Sequence, residues 1–211
     1  EDRPIVIVTG LSGAGRTLAL KALEDADFEA LDNLPMTLLG PAIASAQPDR
    51  PMAIGVDTRT RGFDAQALLA AIATLRATGR HLRLLFLDCD DDVLLRRYAE
   101  TRRAHPLAGD RPVADGLALE RRMLGAMREV ADDLLDTSVT TPAEIRRTVR
   151  ALFAQDKHTL QIFLTSFSFR KGLPREADLV FDVRFARNPH YAPELRRLDG
   201  RDPPVAEFVD A

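Results

Sequence analysis

The stretch Gly10-Leu11-Ser12-Gly13-Ala14-Gly15-Arg16-Thr17 constrains this chain more than any other. It keeps the spacing G-x-x-x-x-G-[K]-[ST], with arginine in the lysine position. The apolar run Pro4–Thr9 precedes it, and a segment carrying Leu20 and Leu23 on one helical side follows. Strand, glycine-rich turn and helix in that order make a phosphate-binding loop. Glycines at 10, 13 and 15 let the backbone turn so that its N–H groups face inward onto phosphate oxygens. The new helix aims the positive end of its dipole at the same point, and Thr17 offers a hydroxyl to Mg²⁺. The bland alternative is a strand-to-helix turn that binds nothing; register and placement favour the loop. Arg16 keeps the positive charge, but a planar, forked guanidinium is not a compact ammonium. Phosphate binding is therefore separable from stabilising a transferring phosphoryl group. Lys21, Lys157 and Lys171 are the lysines of the chain, so a general preference for arginine also accounts for Arg16.

Apolar runs and helical patterns alternate through the first 154 residues, as a parallel sheet with helices on both faces requires. Strands are expected at Pro4–Thr9, Glu29–Asp32, Met52–Asp57, Leu82–Asp88 and Leu134–Thr137. Helices are expected at Ala65–Arg76, Asp91–Thr101, Gly116–Ala131 and Pro142–Phe153. The last opens on Thr141-Pro142-Ala143-Glu144, a capping box with proline at the first helical position. The fold class is thus α/β, a P-loop kinase-like doubly wound sheet. The pattern changes after a linker at 155–158. Strand-like stretches Leu160–Ser168 and Leu179–Val183 flank a Gly-Pro loop, and a Pro- and Arg-rich tail follows without a closing element. Residues 159–211 read as the partial start of a second α/β domain, because two strands and such a tail bury too little to stand alone.

The remaining composition narrows the class. No stretch approaches the roughly 18 consecutive apolar residues of a spanning helix. The charged start Glu1-Asp2-Arg3-Pro4 lacks the pattern of a secretory signal. Cys89 is the single cysteine and has no internal disulfide partner, which fits a reducing, cytoplasmic compartment. A net charge of −3 does not announce a nucleic-acid binder.

A P-loop needs a partner acid at a neighbouring strand end. Asp57 and Asp88 both qualify. Asp88 begins the acidic cluster Asp88, Asp90, Asp91 and Asp92, which helix capping explains. Asp57 leads into the polar run Thr58-Arg59-Thr60 at a strand's carboxyl end, where ligands of open sheets collect, and is the favoured metal acid beside Thr17. Arg96 and Arg97 read as solvated helix-end cations. Arg102 and Arg103, before the loop through Gly109-Asp110-Arg111-Pro112, either do the same or form a lid that closes over phosphates. His105, His158 and His190 lack zinc spacing with Cys89. Asp32-Asn33-Leu34-Pro35 either touches a nucleotide or second substrate, or makes an Asx-type turn.

Several segments together resemble the RapZ/YvcJ family of bacterial nucleotide-binding proteins. In the first part they are Val8–Gly15, Ala22-Leu23-Glu24-Asp25, Leu31–Pro35, Asp57-Thr58-Arg59, Leu87-Asp88, Arg96-Arg97-Tyr98, Thr101-Arg102-Arg103, His105-Pro106-Leu107 and Asp136-Thr137-Ser138. The later segments are more specific: Ser166–Pro174, Ala177-Asp178, Phe181–Phe185 and Asn188-Pro189-His190. The resemblance implies ATP and GTP binding with weak hydrolysis, through Gly10, Leu11, Ser12, Gly13, Ala14, Gly15, Arg16 and Thr17, with Asp57, Thr58, Arg59 and Thr60 as the GTP-contacting segment. It also implies a small-molecule-kinase topology. For adapter members it implies a small regulatory RNA delivered to a ribonuclease, chiefly through the C-terminal domain. Three readings follow: a nucleotide-binding regulator, a kinase using Asp32 or Asp57 as base on an unidentified metabolite, and an RNA adapter. Residues 151–211 carry nine Lys/Arg and nine Asp/Glu, so no strong basic field marks that part. Assembly into a homo-oligomer is left open by the sequence.

Overall fold

Runs of Ile, Val, Leu and Phe without polar alternation build the middle of a five-stranded sheet in the computed structural model. The structure describes residues 3–47, 50–153, 164–167, 169–174 and 177–210. They fall into two units, 1–176 and 177–211.

The sheet order is β2-β3-β1-β4-β5, with β1 at Ile5–Gly10, β2 at Glu29–Asp32, β3 at Met52–Gly55, β4 at Leu82–Asp88 and β5 at Asp133–Asp136. Every pairing is parallel. β1 and β3 are buried along their whole length, so the sheet is covered on both faces, as parallel sheets require. Two groups of helices supply the cover. α1 (Arg16–Glu24) packs with α6 (Pro142–Phe153). α5 (Val113–Glu129) packs with α3 (Ala65–Ala77) and with α4 (Asp91–Thr101). A short α2 (Leu39–Ala44) follows a 3₁₀ turn at Met36–Leu38. Ile7, Ile54, Leu84, Phe86 and Leu94 lie at the centre of the core.

The topology positions the site. Val8 is in register with Gly55 on one side of β1, and Gly10 with Leu87 on the other. The turn leaving β1 therefore emerges between the carboxyl ends of β3 and β4, where the chain crosses from one side of the sheet to the other and ligands of such sheets bind.

Local sequence rules hold at the starts of α3 and α6, but not at α4. There the N-cap Asp90 makes no side-chain cap, and Asp88 and Asp91 instead pair with arginines of α5, so capping does not explain that acidic cluster. Asp64 caps α3 through Oδ1, which accepts from the Ala67 N–H at 2.7 Å. The box before α6 forms in both directions: Thr141 N–H donates to Glu144 Oε2 at 2.7 Å, and Glu144 N–H to Thr141 Oγ1 at 3.3 Å.

The expectations for the later residues are corrected. Leu179–Val183 forms no strand. A strand needs a neighbour for its N–H and C=O groups, and unit 177–211 contains none among the described residues. Its apolar side chains stay open, with Phe181 75% and Phe185 88% exposed. Of Leu160–Ser168, residues 164–167 adopt no regular element and the rest lie outside the described residues. The tail also holds a helix that the sequence does not lead one to expect, α7 (Pro203–Asp210). Its two prolines sit in the first turn, where a missing N–H costs nothing, and Arg187 stacks on Phe208 at 4.2 Å.

Candidate functional site

Gly13 and Gly15 have φ of 94° and 106°, a left-handed region that L side chains disfavour. Gly15 is the N-cap of α1. The turn is braced from within and from outside. Leu11 N–H donates to Leu87 O at 3.0 Å, and Ala14 N–H to Leu11 O at 2.9 Å. Arg97 Nη1 donates to Gly13 O at 2.9 Å, and Thr137 Oγ1 to Ala14 O at 2.9 Å. Arg97 Nη2 also donates to Thr137 O at 2.7 Å, fixing brace to brace. The N–H groups of Gly13, Gly15, Arg16 and Thr17 have no acceptor among the described residues. Carbonyls tied outward and N–H groups left free define an anion nest at a helix N-terminus. Arg97 is thus corrected from a solvated cation to a strut of the loop.

The side chain of Arg16 turns away from a solvated position. It is 9% exposed and pairs with two carboxylates: Nη1 with Asp32 Oδ1, and Nη2 with Asp57 Oδ2 at 2.8 Å. The fork of a guanidinium suits such bridging. The path crosses β3 at Gly55. A Cβ there would lie 2.5 Å from Arg16 Nη1, 2.6 Å from Leu20 Cδ1 and 2.7 Å from Asp32 Oδ1. Asp57 is 2% exposed. Its Oδ1 accepts from Arg59 N–H at 2.8 Å, and Arg59 Nη2 adds a contact to Oδ2 at 3.2 Å. The loop is closed by Thr60, whose Oγ1 accepts from Asp57 N–H at 3.1 Å.

A residue outside every sequence expectation joins these parts. Glu120 on α5 is fully buried. Its Oε1 accepts from Ser12 Oγ at 2.7 Å and Thr58 Oγ1 at 2.9 Å. Its Oε2 accepts from Ser12 N–H at 2.9 Å and faces His105 Nε2 at 3.2 Å. One signal was available in the sequence. The buried stripe of α5 runs Gly116, Leu117, Glu120, Leu124, Met127, so an acid falls in apolar phase.

Asp88 is also fully buried, and it is committed to α5. Arg128 Nε reaches its Oδ2 at 2.8 Å and Arg121 Nη1 its Oδ1 at 3.0 Å. Burial pushes its carboxyl up, but the hydrogen bonds from Arg128, Cys89 N–H and Arg121 together outweigh this and hold it below the ordinary value. Burial also pushes the Cys89 thiol up, against the opposing charge of Arg97. Arg102 and Arg103 are exposed and make no ion pair among the described residues. His105 is buried against Glu120 and Tyr98, not in a metal cluster.

No group of three or more His, Cys, Asp or Glu among the described residues forms a metal cluster. That is compatible with Mg²⁺, which takes most ligands from phosphates and water. The Thr17 hydroxyl is exposed and without a hydrogen bond among the described residues, so it fits as a ligand. Asp57 fits as an acid acting through water, or after giving up an arginine.

Sheet order, a P-loop leaving the central strand and a helix-lined nest define a P-loop α/β protein of the small-kinase type. A shikimate kinase from Acinetobacter baumannii in complex with shikimate shares this fold at TM-score 0.52 and 16% identity, over 74% of this chain and 96% of that one. One from Bacteroides thetaiotaomicron does so at 0.51 and 13%, over 71% and 98%. At those identities the likeness concerns the fold alone. The chain belongs to the RapZ-like family: the profile of the RapZ-like N-terminal domain matches residues 4–157, and that of the RapZ C-terminal domain matches residues 160–211. It is 57% identical to a nucleotide-binding protein of Rhodospirillum rubrum over 100% of this chain and 67% of that protein. It is 54% identical to one of Rhodospirillum centenum over 98% and 63%. The chain thus spans about two thirds of the length of such relatives. No helix among the described residues is long and apolar enough to cross a membrane.

Proposed function

We propose that this chain binds ATP and GTP, with Mg²⁺, at Gly10–Thr17 and Asp57–Thr60, and that it hydrolyses them slowly. The observation that carries this reading is the set of free N–H groups at Gly13, Gly15, Arg16 and Thr17 in a loop whose Leu11, Gly13 and Ala14 carbonyls are already bonded. Arg16 contributes its N–H to that nest, while its guanidinium holds Asp32 and Asp57. A bound Mg²⁺ supplies charge neutralisation at the phosphates. Thr17 offers it an oxygen, and Asp57 orders the loop next to it.

Slow turnover follows from the same clasp. With its guanidinium on two carboxylates, Arg16 is not positioned to follow charge onto a transferring phosphoryl group. Both candidate bases of a kinase, Asp32 and Asp57, carry that arginine, which weighs against phosphoryl transfer to a metabolite. The relatives' designation as nucleotide-binding proteins supports the nucleotide reading. Binding of a small regulatory RNA, its delivery to a ribonuclease, and assembly into a homo-oligomer are proposed for the whole protein; the RapZ-like N-terminal match covers residues 4–157 of this chain and the RapZ C-terminal match residues 160–211. A cytoplasmic location belongs with that proposal.

Calorimetric titration of the chain with MgATP and MgGTP tests the reading. Saturable heat is expected with both; no heat with either sinks it.

A further inference from the structure

We propose that Glu120 is a positioning residue that couples phosphate occupancy of the P-loop to the segment 102–112 through His105. This rests on the nucleotide-binding reading and deepens it.

A fully buried carboxylate is costly unless every lone pair finds a donor. Glu120 meets that condition with donors from three separate places. Ser12 gives both N–H and O–H from the P-loop, Thr58 gives a hydroxyl from the Asp57–Thr60 loop, and His105 gives Nε2. The imidazole tautomer follows from its other nitrogen. His105 Nδ1 accepts from Leu107 N–H at 3.2 Å, so the neutral ring carries its proton on Nε2 and donates to Glu120. Tyr98 packs beside it with its ring tilted at 54°, 5.3 Å between ring centres. Gly116 leaves the space on α5, because a Cβ there would collide with the imidazole.

The arrangement has a consequence for ligand binding. Ser12 N–H is the neighbour of the free N–H of Gly13, so Glu120 holds one edge of the nest that receives the anion. A phosphate entering the nest competes for the Ser12 donors and repels the carboxylate in a region of low dielectric. Glu120 then shifts its bonds, and His105 moves with it. His105 anchors the segment that carries the exposed Arg102 and Arg103, so the anchor responds to the presence of phosphate.

Hydrogen exchange and ATP calorimetry on the chain and four variants test this. Ser12→Ala keeps the N–H but removes the hydroxyl bond. Glu120→Gln keeps the shape but loses acceptor capacity. His105→Gln keeps a donor in reach, and His105→Leu removes it. ATP is expected to change exchange in 102–112 in the wild type and in His105→Gln. The response is expected to be lost in Ser12→Ala, Glu120→Gln and His105→Leu, and ATP is expected to bind Glu120→Gln about three- to tenfold more tightly, because the repelling charge is gone. A wild type that binds ATP with unchanged exchange in 102–112 overturns the proposal. So do Ser12→Ala and His105→Leu variants that respond as the wild type does. Should His105→Leu or Glu120→Gln not fold, Ser12→Ala decides alone. Absence of any ATP heat in the wild type is a separate failure, of the nucleotide reading, and removes the coupling with it.

Discussion

Arg16 and Asp57 face each other as guanidinium and carboxylate, Nη2 to Oδ2 at 2.8 Å, both almost wholly out of solvent. The residue in the P-loop position that normally reaches for phosphate is thereby tied to the acid at the end of the neighbouring strand. Asp32 on the far strand completes the tie.

Arg16→Lys tests what the tie does. A single ammonium does not bridge Asp32 and Asp57 as a fork does. The variant is expected to lose about 1–2 kcal/mol of stability. It is also expected to release phosphate from ATP about tenfold faster, as a lysine is freed for the phosphates. Urea unfolding and a phosphate-release assay read the two effects. Unchanged or slower release would show that the clasp does not limit turnover.

Gly55→Ala tests the same clasp from the strand beneath it. The added methyl meets Arg16, Leu20 and Asp32 at once. A cost of about 2–3 kcal/mol is expected from overpacking at a buried site. In the double variant with Arg16→Ala the two costs should not add, because each relieves or removes the other's contact. Additive losses in denaturant unfolding would place the strain elsewhere.

Two glycines of α5 separate packing from propensity. Gly116 lies under His105, whereas a Cβ on Gly125 meets nothing within 4 Å. Gly125→Ala should stabilise the chain by about 0.5–1 kcal/mol through helix propensity alone. Gly116→Ala should destabilise it by about 2 kcal/mol, because the imidazole must leave its place on Glu120. Thermal unfolding of the pair gives opposite shifts if the placement of His105 is right.

Asp88 predicts an acid dependence. Its folded carboxyl is held below the ordinary value of 3.8, so the unfolded chain takes up its proton first as pH falls. The stabilisation is fully present above that ordinary value and is lost as pH drops through the lower folded one. Asp88→Asn should cost about 2 kcal/mol at neutral pH, leaving Arg121 and Arg128 without their buried partner. The gap between wild type and variant should close below the ordinary value. Asp133, whose carboxyl burial pushes up, is the same in both and cancels from the difference. A gap that stays constant down to pH 2 contradicts the assignment.

The sequence by itself determined the sheet, the P-loop and its place on the first strand. Uninterrupted Ile/Val runs, the glycine spacing of Gly10–Gly15 and the Thr141–Glu144 box are local signals, and local backbone preference decides those elements. It also supplied the family through motifs that extend past residue 160. The tertiary structure decided where charges go. Glu120 comes to Ser12 from 108 positions away, and Arg97 to Gly13 from 84. Arg16 could have pointed at phosphate or at Asp57; the fold pairs it with Asp57 and Asp32 across Gly55, on the strand between β1 and β2, where the missing side chain leaves room for the guanidinium. The strand expected at Leu179–Val183 failed for the complementary reason, since an extended run becomes a strand only when another strand lies beside it. Partners distant in sequence carry no local periodicity, so the clasp and the buried glutamate appear only once the chain is folded.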